Sequence, residues 1–219
     1  MPRMSIFNSP LLLGFDHFEQ MLDRASKASA EGYPPYNIEQ IGENGLRITL
    51  AVAGFSMGGW IASEIASICG HAFSKLILVD AVGVKPQQGE IADIFILSPA
   101  QVTGLLFHDA SQAPEYEQLY GGEPTPEQAE ASEQNREMAV RLCWKPYMFD
   151  QSLPHLLGGV DTPTLVVSAQ NDKIVPASCG QRYADLLPNA RLEVLRGCGH
   201  CADVEQPVEL AKLISGFVS

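Results

Sequence analysis

The sequence predicts an α/β fold: an open, mostly parallel sheet with helices on its faces. Three observations predict it. Short apolar runs at 46–53, 75–80, 163–168 and 191–196 read as strands. Helical patterns separate or follow them, at 57–69 and about 207–217. Polar residues with catalytic potential fall just beyond the runs, where open α/β sheets build their sites.

The elements follow in order. Residues 10–30 read as a helix, with Ser9 as N-cap, Pro10 in the first turn and Leu11, Phe15, Phe18 and Leu22 on one face. Gly32-Tyr33-Pro34-Pro35 ends it. The run 46–53 is apolar after Arg47, which suits a strand buried on both faces. The stretch 85–154 holds no convincing strand and reads as a helical cap or lid. Its strongest helix starts near 126, with Thr125 as N-cap, Pro126 next and Gln128 completing a capping box. Leu210, Leu213, Ile214 and Phe217 give the last helix a core-facing stripe. The domain plan is therefore an N-terminal segment 1–45, a core of 46–84 and 155–219, and the cap 85–154.

Composition limits the function. The chain has 219 residues, 46% of them hydrophobic, a net charge of −12 and a pI near 4.7. That length allows one substantial domain, and an acidic surface argues against nucleic acid or an anionic membrane as partner. No run approaches a membrane span and no sustained signal core is present, so the expected location is cytoplasmic. Five cysteines, odd in number and unevenly spaced, suit reduced thiols.

The chemistry centres on Gly54-Phe55-Ser56-Met57-Gly58-Gly59, between a strand and a helix. A serine held in such a turn needs neighbours without bulk, which Gly54 and Gly58 are expected to supply, and the turn exposes its hydroxyl. The Met57 N–H then opens a helix, where the dipole favours a developing oxyanion. Serine needs a base, and the base a carboxyl that fixes its tautomer. Asp172, past the third strand, and His200, past the fourth, complete the order Ser, Asp, His. Asp80, at the end of the second strand, rivals Asp172 for the acid role. His17, His71, His108 and His155 follow no core strand.

Cys198-Gly199-His200-Cys201 is a Cys-x-x-Cys, which also opens a thiol-oxidoreductase reading and a weaker zinc reading. In thioredoxin folds the motif opens a helix early in the chain. Here only about one helix follows it, so the thiols are expected simply to flank the base.

From residue 56 onward the chain resembles the α/β-hydrolase family. The match rests on Ser56-Met-Gly-Gly-Trp60, on Lys75–Asp80 running into Ala-Val-Gly83, on Asn171-Asp172-Lys-Ile-Val-Pro176, and on Gly199-His200 followed by Glu205-Gln-Pro207. It looks most like capped esterases and meta-cleavage-product (carbon–carbon bond) hydrolases. The resemblance implies a triad of Ser56, Asp172 and His200 with the Met57 N–H in the oxyanion hole. It implies no metal or cofactor and a small carboxylic ester as substrate, with carbon–carbon cleavage as the alternative.

Residues 10–55 resemble something else. Pro10-Leu-Leu-Leu-Gly-Phe15-Asp-His-Phe18, Tyr33-Pro-Pro-Tyr-Asn-Ile-Glu39 and Arg47-Ile-Thr-Leu-Ala-Val-Ala-Gly-Phe55 look like the start of a bacterial small heat-shock protein. The expectation is a fusion near Gly54–Ser56, a hydrolase truncated at its N-terminal side, and a strand 46–53 with one uncovered edge. Pairing of that edge, or of the 10–30 helix, would give a homodimer. An impaired fusion acting as a chaperone-like interaction module is a further alternative.

Overall fold

Gly45–Phe55 (β2) is the long strand on which the sheet is organised, and it serves two partners in turn. Its first half pairs antiparallel with Tyr36–Ile41 (β1), from Ile41 opposite Gly45 to Tyr36 opposite Leu50. Its second half runs parallel to Phe73–Val79 (β3), up to Phe55 opposite Val79. A register irregularity between Leu50 and Ala51 marks the change of partner. The computed structural model describes residues 36–41, 45–122 and 124–219. The helix expected over 10–30, with His17, lies outside them.

The order is β1-β2-β3-β4-β5, with Thr164–Ala169 as β4 and Ala190–Leu195 as β5, all parallel from β2 onward. Every residue of β4 is buried, as a strand inside a parallel sheet should be, while β5, at the end of the order, buries only Leu195 fully. This is the open α/β sheet that the sequence predicted. The helices are Met57–Ile68 (α1), Pro99–Leu106 (α2), Tyr116–Tyr120 (α3), Pro126–Cys143 (α4), Leu153–Leu156 (α5), Ala177–Leu186 (α6), Ala202–Glu205 (α7) and Pro207–Val218 (α8).

Two cores sandwich the sheet. Ala62 and Ala66 of α1 and Cys179 and Tyr183 of α6 pack with Leu76, Leu78 and Val166 on one face. Leu210 of α8 packs with Ile77, Val79, Leu165 and Val167 on the other, joined by Leu213, Ile214 and Phe217. These four α8 residues fall at the spacing that one buried helix face requires. Fully burying a leucine such as Leu210 contributes about 1.5–3 kcal/mol.

Two expectations change here. β2 is not buried on both faces: Ala51, Val52 and Ala53 are half-buried and Leu50 is 43% exposed. Nor is its outer edge bare along its whole length. β1 covers the outer side of Gly45–Leu50, a partner strand that the sequence alone does not mark. The reason is that a short strand of mixed polarity gives little periodic signal, and pairing with β2 is what makes Tyr36–Ile41 extended.

Between β3 and β4 the chain leaves the sheet for α2 to α5. A bridge between Gly83 and Phe149 closes the base of this excursion. The capping box expected for α4 is present: Thr125 Oγ1 accepts from the Gln128 N–H, and Gln128 Oε1 accepts from the Thr125 N–H at 2.8 Å. The α2 N-terminus repeats the device with Ser98 and Gln101. A small aromatic core holds the excursion near α7, with the Phe107 ring 5.1 Å from Tyr116 and 5.2 Å from Tyr120.

Candidate active site

Ser56 sits in the turn between β2 and α1 at φ 49° and ψ −116°, in the left-handed half of backbone space. A non-glycine residue there carries strain of about 1–3 kcal/mol, which surrounding contacts must hold. Here the Ser56 N–H donates to Val79 O at 2.9 Å, and Ser56 O accepts from Gly59 at 3.1 Å and from Trp60 and Val82 at 3.3 Å. The Ser56 side chain makes no cap hydrogen bond to α1, so its hydroxyl is not committed to the helix.

The turn explains its glycines, but not as the motif suggested. A Cβ on Gly54 would run into the Gly58 carbonyl oxygen and stand 2.6 Å from Gly59 N. A Cβ on Gly59 would meet Ala81 Cβ at 2.6 Å. A Cβ on Gly58 would meet nothing within 4 Å. The close approach of α1 to β2 and to the segment after β3 therefore demands Gly54 and Gly59, and Gly58 faces open space. Met57 is the first residue of α1, where backbone N–H groups lack intrahelical acceptors.

The acid and base candidates come from neighbouring strand ends. Asp172 follows β4 and His200 follows β5. Gln170 N–H donates to Leu195 O at 2.8 Å and Asn171 N–H to Cys198 O at 2.9 Å, lacing the two loops together. Asp172 Oδ2 lies 2.7 Å from His200 Nδ1. Its Oδ1 accepts from Ile174 N–H at 2.7 Å and Val175 N–H at 2.9 Å, which fixes the carboxyl against the ring. The Asp172 side chain is fully buried and that of His200 is 10% exposed. Burial pushes the His200 pKa down, but the Asp172 hydrogen bond and charge, with Asp80 behind them, carry it above the ordinary histidine value. An imidazole so held keeps its proton on Nδ1 and turns Nε2 outward as a base. No hydrogen bond joins Ser56 Oγ to His200 among the described residues; such bonds commonly tighten only when substrate binds.

Asp80, the rival acid, follows β3 directly, at φ 45°. Its Oδ1 accepts from Ala169 N–H at 2.7 Å. Between the two candidates it is Asp172, not Asp80, that bonds His200. Donor atoms of Asp80, Asp172 and His200 nevertheless lie within 4.8 Å of one another, a spacing that a cation could bridge. Asp172 and His200 spend their facing atoms on each other, so we assign this cluster to hydrogen bonding. Burial first, and the Asp172 charge second, raise the Asp80 pKa to about 7.

Sequence reasoning missed a clamp. Glu205, 6% exposed, accepts from Gly199 N–H at 2.6 Å and His108 N–H at 3.1 Å on one oxygen, and from Asp109 N–H at 2.7 Å on the other. Cys201 N–H donates to Leu106 O at 3.0 Å, and Lys173 Nζ to Phe107 O at 2.8 Å. Cys143, at the end of α4, lies with its Sγ 3.4 Å from Met57 Sδ. The excursion thus touches the serine turn, the Asp172 loop and the His200 loop. Gly199 permits the approach, because a Cβ there would stand 2.5 Å from His108 N.

The Cys-x-x-Cys does not look like a thiol centre. Cys198 is buried, and burial pushes its pKa up; burial, then the Asp203 charge, raises Cys201 to about 12. Reactive thiols need the opposite shift.

Comparison with known proteins agrees with this architecture. The model of the alpha/beta hydrolase family matches residues 16–213. The chain belongs to the alpha/beta hydrolase family. It is 23% identical to the 2-hydroxymuconate semialdehyde hydrolase of Pseudomonas putida, over 96% of this chain and 76% of that protein. The meta-cleavage product hydrolase from Pseudomonas fluorescens IP01 superimposes with a TM-score of 0.61 at 18% identity, covering 77% of this chain and 64% of that one. A separate match, 48% identical over 44 residues, joins 20% of this chain to 29% of a small heat shock protein of Bradyrhizobium diazoefficiens. The chain thus spans less than two thirds of that solved hydrolase and under a third of that heat shock protein. Among the described residues no helix is long and apolar enough to cross a membrane.

Proposed function

We propose that the chain is a serine hydrolase of small carboxylic esters. The observation that carries the reading is the 2.7 Å contact between Asp172 and His200, with Asp172 pinned by the N–H groups of Ile174 and Val175. Ser56 Oγ attacks the ester carbonyl carbon while His200 Nε2 takes its proton. The oxyanion forms at the N-terminus of α1, where the Met57 N–H donates to it. His200 then returns the proton to the leaving alkoxide, and an acyl-enzyme remains. Water, activated by the same imidazole, attacks the acyl carbon; Ser56 recovers its proton and the carboxylic acid leaves. No metal or organic cofactor enters these steps. The excursion over 85–154 serves as a lid, a reading supported by its contacts with all three site loops.

Carbon–carbon cleavage of dienoic diketo acids is the second reading. The likeness to the 2-hydroxymuconate semialdehyde hydrolase of Pseudomonas putida along nearly the whole chain favours it. The 44-residue match to a small heat shock protein supports the reading of the chain as a fusion.

Hydrolysis of p-nitrophenyl butyrate by the wild type and by Ser56→Ala, beside a ring-fission product as competing substrate, tests these readings. Ester turnover that Ser56→Ala abolishes supports the first. Turnover of the ring-fission product alone, again lost in Ser56→Ala, selects the second. Equal rates in wild type and variant overturn both.

A further inference from the structure

We propose that Asp80 is a positioning residue for His200: a second carboxyl beside the imidazole, able to take the place of Asp172. The proposal rests on the serine-hydrolase reading above. Its structural role as a strand cap needs only one acceptor, and Oδ1 fills it by receiving the Ala169 N–H at 2.7 Å. Oδ2 has no partner among the described residues, although the side chain is buried and the residue only 4% exposed. A buried polar atom left unpaired is costly, and an asparagine or serine could cap β4 without adding a second carboxyl oxygen. The carboxyl belongs to a cluster whose other members are Asp172 and His200, all within 4.8 Å.

The groups acting on this cluster come from each loop around it. Asp172 stands after β4, Cys198 and His200 after β5, and Asp203 in α7. His200 carries the only basic group in that set, so its imidazolium is the species that the second carboxyl can stabilise. Asp172 already bonds Nδ1 in the resting protein. When Asp172 is removed, the Asp80 carboxyl can turn about its Ala169 bond toward Nδ1, or reach it through one bridging water.

The test compares wild type, Asp80→Asn, Asp172→Asn and the double variant, with Asp80→Ser beside Asp80→Asn. Asp80→Asn retains an acceptor for the Ala169 N–H and Asp80→Ser removes the carboxyl with a smaller side chain, so a fold that rejects one still leaves the other. One readout is p-nitrophenyl butyrate turnover. Losing the only acid of such a triad costs about 10⁴-fold. With Asp80 in reserve, Asp172→Asn should lose clearly less than that, and the double variant the full 10⁴ or so. The other readout is the titration of the His200 ring followed by ¹⁵N-histidine NMR, which needs no turnover. Asp80→Asn or Asp80→Ser should lower its midpoint in both the wild-type and the Asp172→Asn backgrounds. Identical His200 titrations with and without Asp80 would overturn the proposal. A shifted titration in a protein with no Ser56-dependent turnover would support the positioning role and overturn the hydrolase reading instead.

Discussion

Replacing Glu205 should loosen the candidate active site from behind, without touching any of its reacting groups. The Glu205 carboxyl receives the N–H groups of Gly199, His108 and Asp109. Gly199 is buried, so its N–H would lose its partner outright in Glu205→Ala, at a cost of about 1–3 kcal/mol. His108 and Asp109 are exposed residues whose N–H groups can turn to water, so each should cost less. With the lost packing, Glu205→Ala should destabilise the fold by about 3–5 kcal/mol. Glu205→Gln retains one acceptor oxygen but points its NH₂ at a donor, and should cost about 1–3 kcal/mol. Urea unfolding at neutral pH measures both. Turnover is the second assay: His200 follows Gly199, and a displacement of roughly 1 Å in a catalytic group can cost about 10²-fold. The fall should appear in kcat more than in KM. A Glu205→Gln protein with wild-type urea midpoint and wild-type kcat would refute the clamp.

Further outcomes follow from the same geometry. His200 has a raised pKa and must be neutral to act as base, so kcat/KM for p-nitrophenyl butyrate should fall as pH drops through a midpoint above 6.5, and a midpoint at or below that value would contradict the Asp172 pairing. Gly59→Ala should destabilise by about 1–3 kcal/mol through the Ala81 clash, whereas Gly58→Ala, facing open space inside a helix, should be neutral or stabilise by up to about 1 kcal/mol; thermal melts decide between them. Because the folded-state pKa of Asp80 is raised from 3.8 to about 7, its stability contribution is complete below pH 3.8 and is lost as pH climbs through about 7. Asp80→Asn should therefore gain on wild type across that window, by at most about 4 kcal/mol in denaturant midpoints compared at pH 4 and pH 8. If light scattering shows a dimer, β1 at the end of the sheet order is the edge to test, and a lysine at Ile38 should shift it toward monomer.

What the sequence determined by itself was local. The strand–Ser56–helix turn, the Thr125–Gln128 capping box and the α8 stripe of Leu210, Leu213, Ile214 and Phe217 each lie within a few turns of chain, where propensity and periodicity act directly. Asp172 and His200 were legible as candidates because each follows a strand of one parallel sheet, and such strands end on one edge. Tertiary structure decided the rest. Asp80 and Asp172 both follow strands, and only the lacing of the β4 and β5 loops brings Asp172 to 2.7 Å from Nδ1. The need for Gly59 rather than Gly58 arises from Ala81, more than twenty residues away. Glu205 gathers N–H groups from both sides of a ninety-residue gap, and β1 is a strand because β2 offers it a ladder. Contacts of that kind have no period along the chain, so they become visible only when packing sets the distances.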